Sequence, residues 1–355
     1  MNILPLYNIG YNRNTVNNNS SFGMQSSSFG LKMAKPIATD TVSFGASATA
    51  KRAGKYGDMI SQDLAIKIIN KMKKPHHKLE VLLNNEFNKL INNGSVSLIN
   101  RLKGEYSLRL KTGSRKLNDE QSIIKGGITD ISGFCFILED RAAFKNVMNI
   151  FNKLIKSNKI TIAKTGEIKE GLPVEYHVIP PVYNKKGEIV ETYNSLDPME
   201  LQKFKNMLID KYHPASRMSD TIDSISGYSG LHVIVKNSDG TYSEIKFLTR
   251  AMADVQKVEN LLYKIRNGKT VDPKYSYMEA ILAPFKPVND FASEKEKKES
   301  EKLNKAISKY TLEVYKYALK HPYEKNIKMP MPSDPLIVQY DFNKLLKLME
   351  ACESL

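Results

Sequence analysis

Between residues 58 and 93 apolar positions recur every three or four residues, in DMISQDLAIKIINKMKK and HKLEVLLNNEFNKLINN. This spacing predicts two helices, divided at Pro75 and ended near Gly94. From Ser95 short apolar runs take over. SVSLINRLK, FCFIL, KITIAK and PVEYHVI read as strands, and LRLKTGSRKL, DRAAFKNVMNIFNKLIKSN and DPMELQKFKNMLIDKYH as helices among them, with 214–226 as a polar loop. A hairpin follows, with one strand over 231–235, a tight turn at Asn237-Ser238-Asp239-Gly240 and a returning strand over 244–248. A helix over 250–268 closes at Gly268, and a Pro-punctuated linker spans 272–290. Residues 293–320 predict a long helix whose first half is a charge run suited to a solvated face. MPMPSDP reads as a linker and YDFNKLLKLMEACES as a last amphipathic helix. Strands and helices in this order predict an α+β fold, a mixed β-sheet with flanking helices.

The first 52 residues break the pattern. They are rich in Asn, Ser and Gly, with SFG at Ser21, Ser28 and Ser43, and predict a disordered leader in which the repeats are either a docking motif or low-complexity drift. The expected organisation is a leader over 1–52, a main domain over 53–270 (helical start 53–94, α/β core 95–268), and a linker with C-terminal helices over 271–355.

A chain of 355 residues, 41% apolar with mean hydropathy −0.39, has enough material for a sizeable core. No run approaches the ~20 apolar residues that span a bilayer, and the opening MNILPLYNIGYNRN lacks the marks of a signal peptide, so a cytoplasmic protein with no membrane association is expected. Cys135 and Cys352, with six histidines, make neither a disulfide framework nor an obvious zinc site. Charge changes the picture more. Residues 51–117 hold 15 Lys and Arg against 5 Asp and Glu, a local balance of +10 out of the chain's +15. Two readings fit: an acidic partner rich in phosphates, or lysine-rich helices that keep the protein soluble.

Three segments carry candidate chemistry. In INRLKGEYSLRLK, Arg101 and Lys103 share one face of a strand end and Lys111 lies on the following helix, a cationic cradle suited to a nucleoside triphosphate. In GGITDISGFCFIL, Asp130 stands at the mouth of a buried strand, either as a metal ligand or as a turn cap. In the hairpin, Glu244 places a carboxylate inside a strand, where acidic residues are disfavoured. Asp130 and Glu244 would meet over one Mg2+ if their strands are neighbours, because Mg2+ takes one or two carboxylates and fills its shell with water and substrate phosphates. Tyr228, framed by Gly227 and Gly230, either offers its ring to a base or packs at a strand end. His232 has both a structural and a catalytic reading.

The order Arg101-Leu102-Lys103, Ser107, Lys111, Asp130-Ile131-Ser132-Gly133, Gly227-Tyr228-Ser229-Gly230-Leu231-His232 and Glu244-Ile245 resembles the synthetase domain of the RelA/SpoT family, the (p)ppGpp synthetases, over roughly residues 80–268. The resemblance implies a nucleotidyltransferase-like core and a Mg2+-dependent pyrophosphokinase that moves the β,γ-diphosphate of ATP to the ribose 3′-hydroxyl of GDP or GTP and releases AMP. It implies ATP binding by Arg101, Lys103, Ser107 and Lys111, with Arg101 stacked on adenine. Asp130 and Glu244 would hold the metal, with Glu244 also drawing the hydroxyl proton. Tyr228 would stack on guanine, and His232 and Arg217 would serve the acceptor.

The chain departs from the family pattern at Cys135, Ser229 and Leu248, which stand where arginines are usual, and at Ser219 in place of a lysine; Arg217, Lys246 and Arg250 are the cations available to replace them. No histidine is followed by Asp, so a hydrolase half is not expected. Two further functions remain in view. One is a toxin that transfers the diphosphate to the 3′ end of tRNA, suited to the basic segment 51–117. The other is a catalytically weak nucleotide-binding module. Sequence sets no oligomeric state.

Overall fold

The computed structural model describes residues 59–169, 171–212, 219–224, 226–266, 279–288, 292–327 and 329–353, all within one compact unit, Ser47–Leu355. The expected leader over 1–52 and Arg217 lie outside the described residues.

Helix α1 (Gln62–Glu86) opens on Ser61, whose hydroxyl accepts from the amide of Leu64 at 3.2 Å. It runs through Pro75, where the sequence predicts a break. Proline removes one backbone hydrogen bond, but Met72, Pro75, His76 and Leu79 are all buried on one side of the helix, and that packing keeps it continuous. A short helix, Asn88–Asn92, follows. Then come β1 (Val96–Leu102), α2 (Glu105–Arg115), β2 (Ser132–Leu138), α3 (Ala143–Lys156), β3 (Thr161–Ile162), β4 (Val174–Tyr183), β5 (Ile189–Tyr193), α4 (Pro198–Tyr212), β6 (Ser219–Asp223), β7 (Gly230–Lys236), β8 (Tyr242–Thr249) and α5 (Arg250–Arg266). The C-terminal layer consists of α6 (Glu294–Lys320), entered through a Ser293–Glu296 capping box, and α7 (Phe342–Glu353).

Strand order is β1-β2-β8-β7-β4-β5, with β3 on β7 and β6 on β4. The pairs β2·β8 and β4·β6 are parallel and the others antiparallel, so the sheet is mixed and the fold α+β, as the sequence predicts. Three expectations need correction. The supposed polar loop contains β6, an edge strand too short and polar to announce itself. Strand β5 was not foreseen, because its Ile189 and Val190 are exposed and it has no apolar alternation. The supposed linker over 272–290 includes a helical turn, Glu279–Leu282, whose Leu282 buries with Phe285 against the C-terminal helices.

The two faces of the sheet differ because side chains alternate along each strand. Phe134, Phe136, Ile245, Phe247, Leu231, Val233, Val174 and Tyr176 point to one side and form a core with α1, α3 and α4. On the other side the ladder places Arg101, Gly133, Glu244 and Ile234 in one row, and Ile99, Cys135, Lys246, His232 and Glu175 in the next. Beyond them Ile137 and Leu248 return to apolar character and carry α5 and α6. Among the described residues no helix is long and apolar enough to cross a membrane.

Candidate active site

The polar rows open onto a cleft of about 220 Å3 lined by Lys111, Arg115, Thr129, Asp130, Gly171, Leu172, Glu175, His232, Ile234 and Glu244. The two carboxylates meet there through backbone register. Glu244 has Gly133 as its Cα partner across the parallel β2·β8 pair, and Asp130 lies three residues upstream of Gly133, just outside the strand. The same register is tied from the core side. Ser132 and Ser243 are Cα partners, the Ser243 hydroxyl donates to Ser132 Oγ at 2.9 Å, and His76 of α1 bonds the same Ser132 oxygen at 2.9 Å. A one-residue slip would send Glu244 to the apolar face.

Asp130 is clamped by cations on one oxygen only. Lys103 Nζ lies 3.0 Å and Lys111 Nζ 2.8 Å from Oδ2, while Oδ1 is buried without a hydrogen-bond partner. Burial acts to raise the Asp130 carboxyl, but the two ammonium groups outweigh it and bring it down to about 2, with the charge of Glu244 opposing them. Burial in turn lowers the Lys103 ammonium, against the pull of Asp130. Lys111 sits on α2, whose N-cap Gly104 places no side chain on the first-turn amides; Ser107 lies in that turn.

Glu244 is held from two sides, by His232 Nδ1 at 3.2 Å from Oε1 and Lys246 Nζ at 3.3 Å from Oε2. Burial would raise its carboxyl, yet Lys246 and His232 keep it well below the ordinary carboxylate range. Burial lowers the His232 imidazole, helped by Lys246 and opposed by Glu244, which favours the neutral ring. A carboxylate only accepts, so Nδ1–H donates to Glu244 and the bare Nε2 accepts from the Tyr228 hydroxyl at 2.6 Å. Tyr228, His232 and Glu244 thus form one directed chain, and burial pushes the Tyr228 phenol well above its usual value.

The structure brings Asp130, Glu244, Lys103, Lys111, His232 and Tyr228 into one connected group. Arg101 stands at its edge, exposed on β1 across from Gly133, with its Cγ 3.9 Å from where a Cβ on Gly133 would sit. Arg101, Lys103 and Ser107 do not line the cleft itself, Lys103 meeting it only through Asp130, and Tyr228 stands behind His232. Of the departing positions, Ser229 is fully buried and bonds Ser195 Oγ at 2.6 Å and the His177 carbonyl at 2.9 Å. Leu248 is buried under the C-terminal helices, and burial pushes the Cys135 thiol up to about 11, so it stays protonated. Arg250 is committed to Glu139 and Asp254.

Sequence reasoning missed Glu175 and His177. They pair at 3.3 Å, and the His177 ring lies 4.7 Å from that of His232. Their signal was present, since in PVEYHVI they alternate with Val174, Tyr176 and Val178 and must share a face. Arg115 was missed as well; it falls one helical turn beyond Lys111 and donates to the Gly127 carbonyl.

The donor set suits a hard divalent cation. Asp130 and Glu244 face one cleft, beside a Glu175 already paired with His177, and Asp130 Oδ1 has no hydrogen-bond partner, while the described residues contain no cluster of three or more His, Cys, Asp or Glu that would close a protein cage. That combination matches an ion that completes its shell with water and phosphate oxygens.

No protein-family model matches the chain, and no curated protein matches it. Among solved structures it is similar to a GTP pyrophosphokinase family protein from Streptococcus pneumoniae (15% identity, covering 72% of this chain and 94% of that one, TM-score 0.29). It is also similar to small alarmone synthetase 1 from Bacillus subtilis (15% identity, 69% and 96% covered, TM-score 0.32). A third is small alarmone synthetase 2 from Bacillus subtilis (15% identity, 69% and 97% covered, TM-score 0.28). Identities and scores at this level leave the functional reading to rest on the cleft.

Proposed function

We propose that this protein is a Mg2+-dependent pyrophosphokinase that transfers the β,γ-diphosphate of ATP to the ribose 3′-hydroxyl of GDP or GTP. The observation that carries this reading is the pair Asp130 and Glu244, held by lysines in one cleft with Asp130 Oδ1 left without a partner. Phosphoryl-type transfer asks a protein mainly for alignment and positive charge, and the cleft supplies both.

Lys103, Lys111 and Arg115 gather around the Asp130 end and would hold the ATP phosphates, with Arg101 at the rim for the adenine. Asp130 and Glu244 would hold Mg2+, which would supply neutralisation of phosphate charge. The 3′-oxygen forms its bond to the β-phosphorus as the bond to the α–β bridging oxygen breaks, and AMP leaves with that electron pair. Glu244 takes the hydroxyl proton, its orientation fixed by the Nδ1–H of His232, which Tyr228 fixes in turn.

A second reading, transfer to the 3′ end of tRNA, is favoured by the exposed Lys67, Lys73, Lys74 and Lys78 of α1 and by a second cleft on the sheet's other side lined by Lys78, Lys159 and Lys236. One experiment separates the two: incubation with Mg2+ and β,γ-labelled ATP, with GDP, GTP or bulk tRNA as acceptor, beside Asp130→Asn. Label on a guanosine nucleotide supports the leading reading and label on tRNA the second. Intact ATP with every acceptor overturns both and leaves a nucleotide-binding module.

A further inference from the structure

The chain Tyr228–His232–Glu244 ends in a tyrosine that the α/β core does not hold by itself. Gly227 has φ +95°, and a Cβ there would lie 2.7 Å from Tyr315 Cβ and 3.1 Å from Leu312 Cδ1, so α6 rests directly on this backbone. The Tyr315 ring stands edge-on to that of Tyr228, with centroids 6.3 Å apart at 78°. Tyr315 is itself fully buried, and its hydroxyl donates to Glu259 Oε2 of α5 at 3.2 Å. The Tyr228 ring is therefore seated against α6, which α5 anchors through Glu259, while its hydroxyl leads to His232 and Glu244.

We propose that Tyr315 is a positioning residue for proton removal: through Tyr228 and His232 it fixes Glu244, which makes the C-terminal helical layer an integral wall of the active site. Tyr315 packs on the Tyr228 end of the chain, while Asp130 is clamped separately by Lys103 and Lys111, so the effect falls on one half of the cleft. The inference rests on the transfer reading above.

The test is a double-mutant cycle on labelled diphosphate transfer, using Tyr315→Leu, Tyr228→Phe and their combination in the full chain. Tyr315→Leu is expected to lower kcat about tenfold with the KM for ATP unchanged, in line with the sensitivity of reaction rates to small misplacements. It should add little on the Tyr228→Phe background, because both changes release the same hydroxyl from His232. Tyr315→Phe, which keeps the ring, should restore kcat. If Tyr315→Leu fails to fold, Leu312→Ala, which loosens the same seat on Gly227, must lower kcat without changing the KM for ATP. Fully additive effects in the cycle, an unchanged kcat, or a parallel rise in the KM for ATP would overturn the inference while leaving the transfer reading intact. Absence of transfer by the wild-type chain overturns that reading, and this inference with it.

Discussion

Glu244 on β8 and Asp130 ahead of β2 face one cleft because the two strands run parallel, with Gly133 as the Cα partner of Glu244. Each carboxylate then meets its own cations, Lys103 and Lys111 on Asp130 and Lys246 on Glu244, so the site holds negative charge for a metal and positive charge for phosphates side by side.

Asp130→Asn and Glu244→Gln are each expected to reduce diphosphate transfer by about 10^2-fold or more, the scale on which a single charge-stabilising or proton-transferring group acts. Label transfer at saturating ATP measures this. Activity within a few-fold of wild type in either variant would remove the carboxylate pair from the mechanism.

Lys103→Met and Lys111→Met should act on ATP. Each removes a charged hydrogen-bond donor, so the KM for ATP is expected to rise about 10- to 100-fold while the KM of the acceptor stays near its wild-type value. Initial rates with one substrate varied at a time separate the two constants.

The acid limb of the kcat/KM profile should move with Lys246. Burial raises the Glu244 carboxyl and Lys246 lowers it, so Lys246→Met removes a lowering influence and the carboxyl titrates at higher pH. The limb is expected to shift upward; a downward shift or none would mean that Glu244 is not the group being titrated.

Stability without added metal should fall in acid through Asp130. Its carboxyl is depressed from 3.8 to about 2, so its contribution is complete above the unfolded value and disappears as pH falls from about 4 to about 2. With Asp130 mostly buried this amounts to about 2 kcal/mol. Urea unfolding in the presence of a chelator should show that loss in wild type and not in Asp130→Asn.

Gly126→Ala should disturb the approach to Asp130. Its φ is +86°, and an added Cβ would fall 2.0 Å from the Glu167 carbonyl oxygen, where the backbone of one loop presses on another. A loss of at least about 2 kcal/mol in urea unfolding is expected. Gly104→Ala, with φ −64° and open space around it, is the control that should change little.

Local chemistry made much of this legible beforehand. Short apolar runs marked β2 and β7, helical spacing marked α3, and the residue types at Arg101–Lys111, Asp130 and Glu244 raised the expectation of phosphate and metal chemistry. These are properties of neighbours in sequence, which backbone geometry fixes at short range.

What crosses the sheet was not legible. Packing carried α1 through Pro75, which local propensity alone would break. The union of Asp130 with Glu244 needed the parallel register of β2 and β8 and the Ser132–Ser243 tie, and Tyr315 is separated from Tyr228 by 87 positions in the chain yet meets its ring edge-on. The sequence by itself determined the chemistry available to the site, though Glu175, His177 and Arg115 were not singled out in it; only the tertiary structure decided which groups touch, because a contact between distant residues depends on register and packing that no short window of sequence encodes.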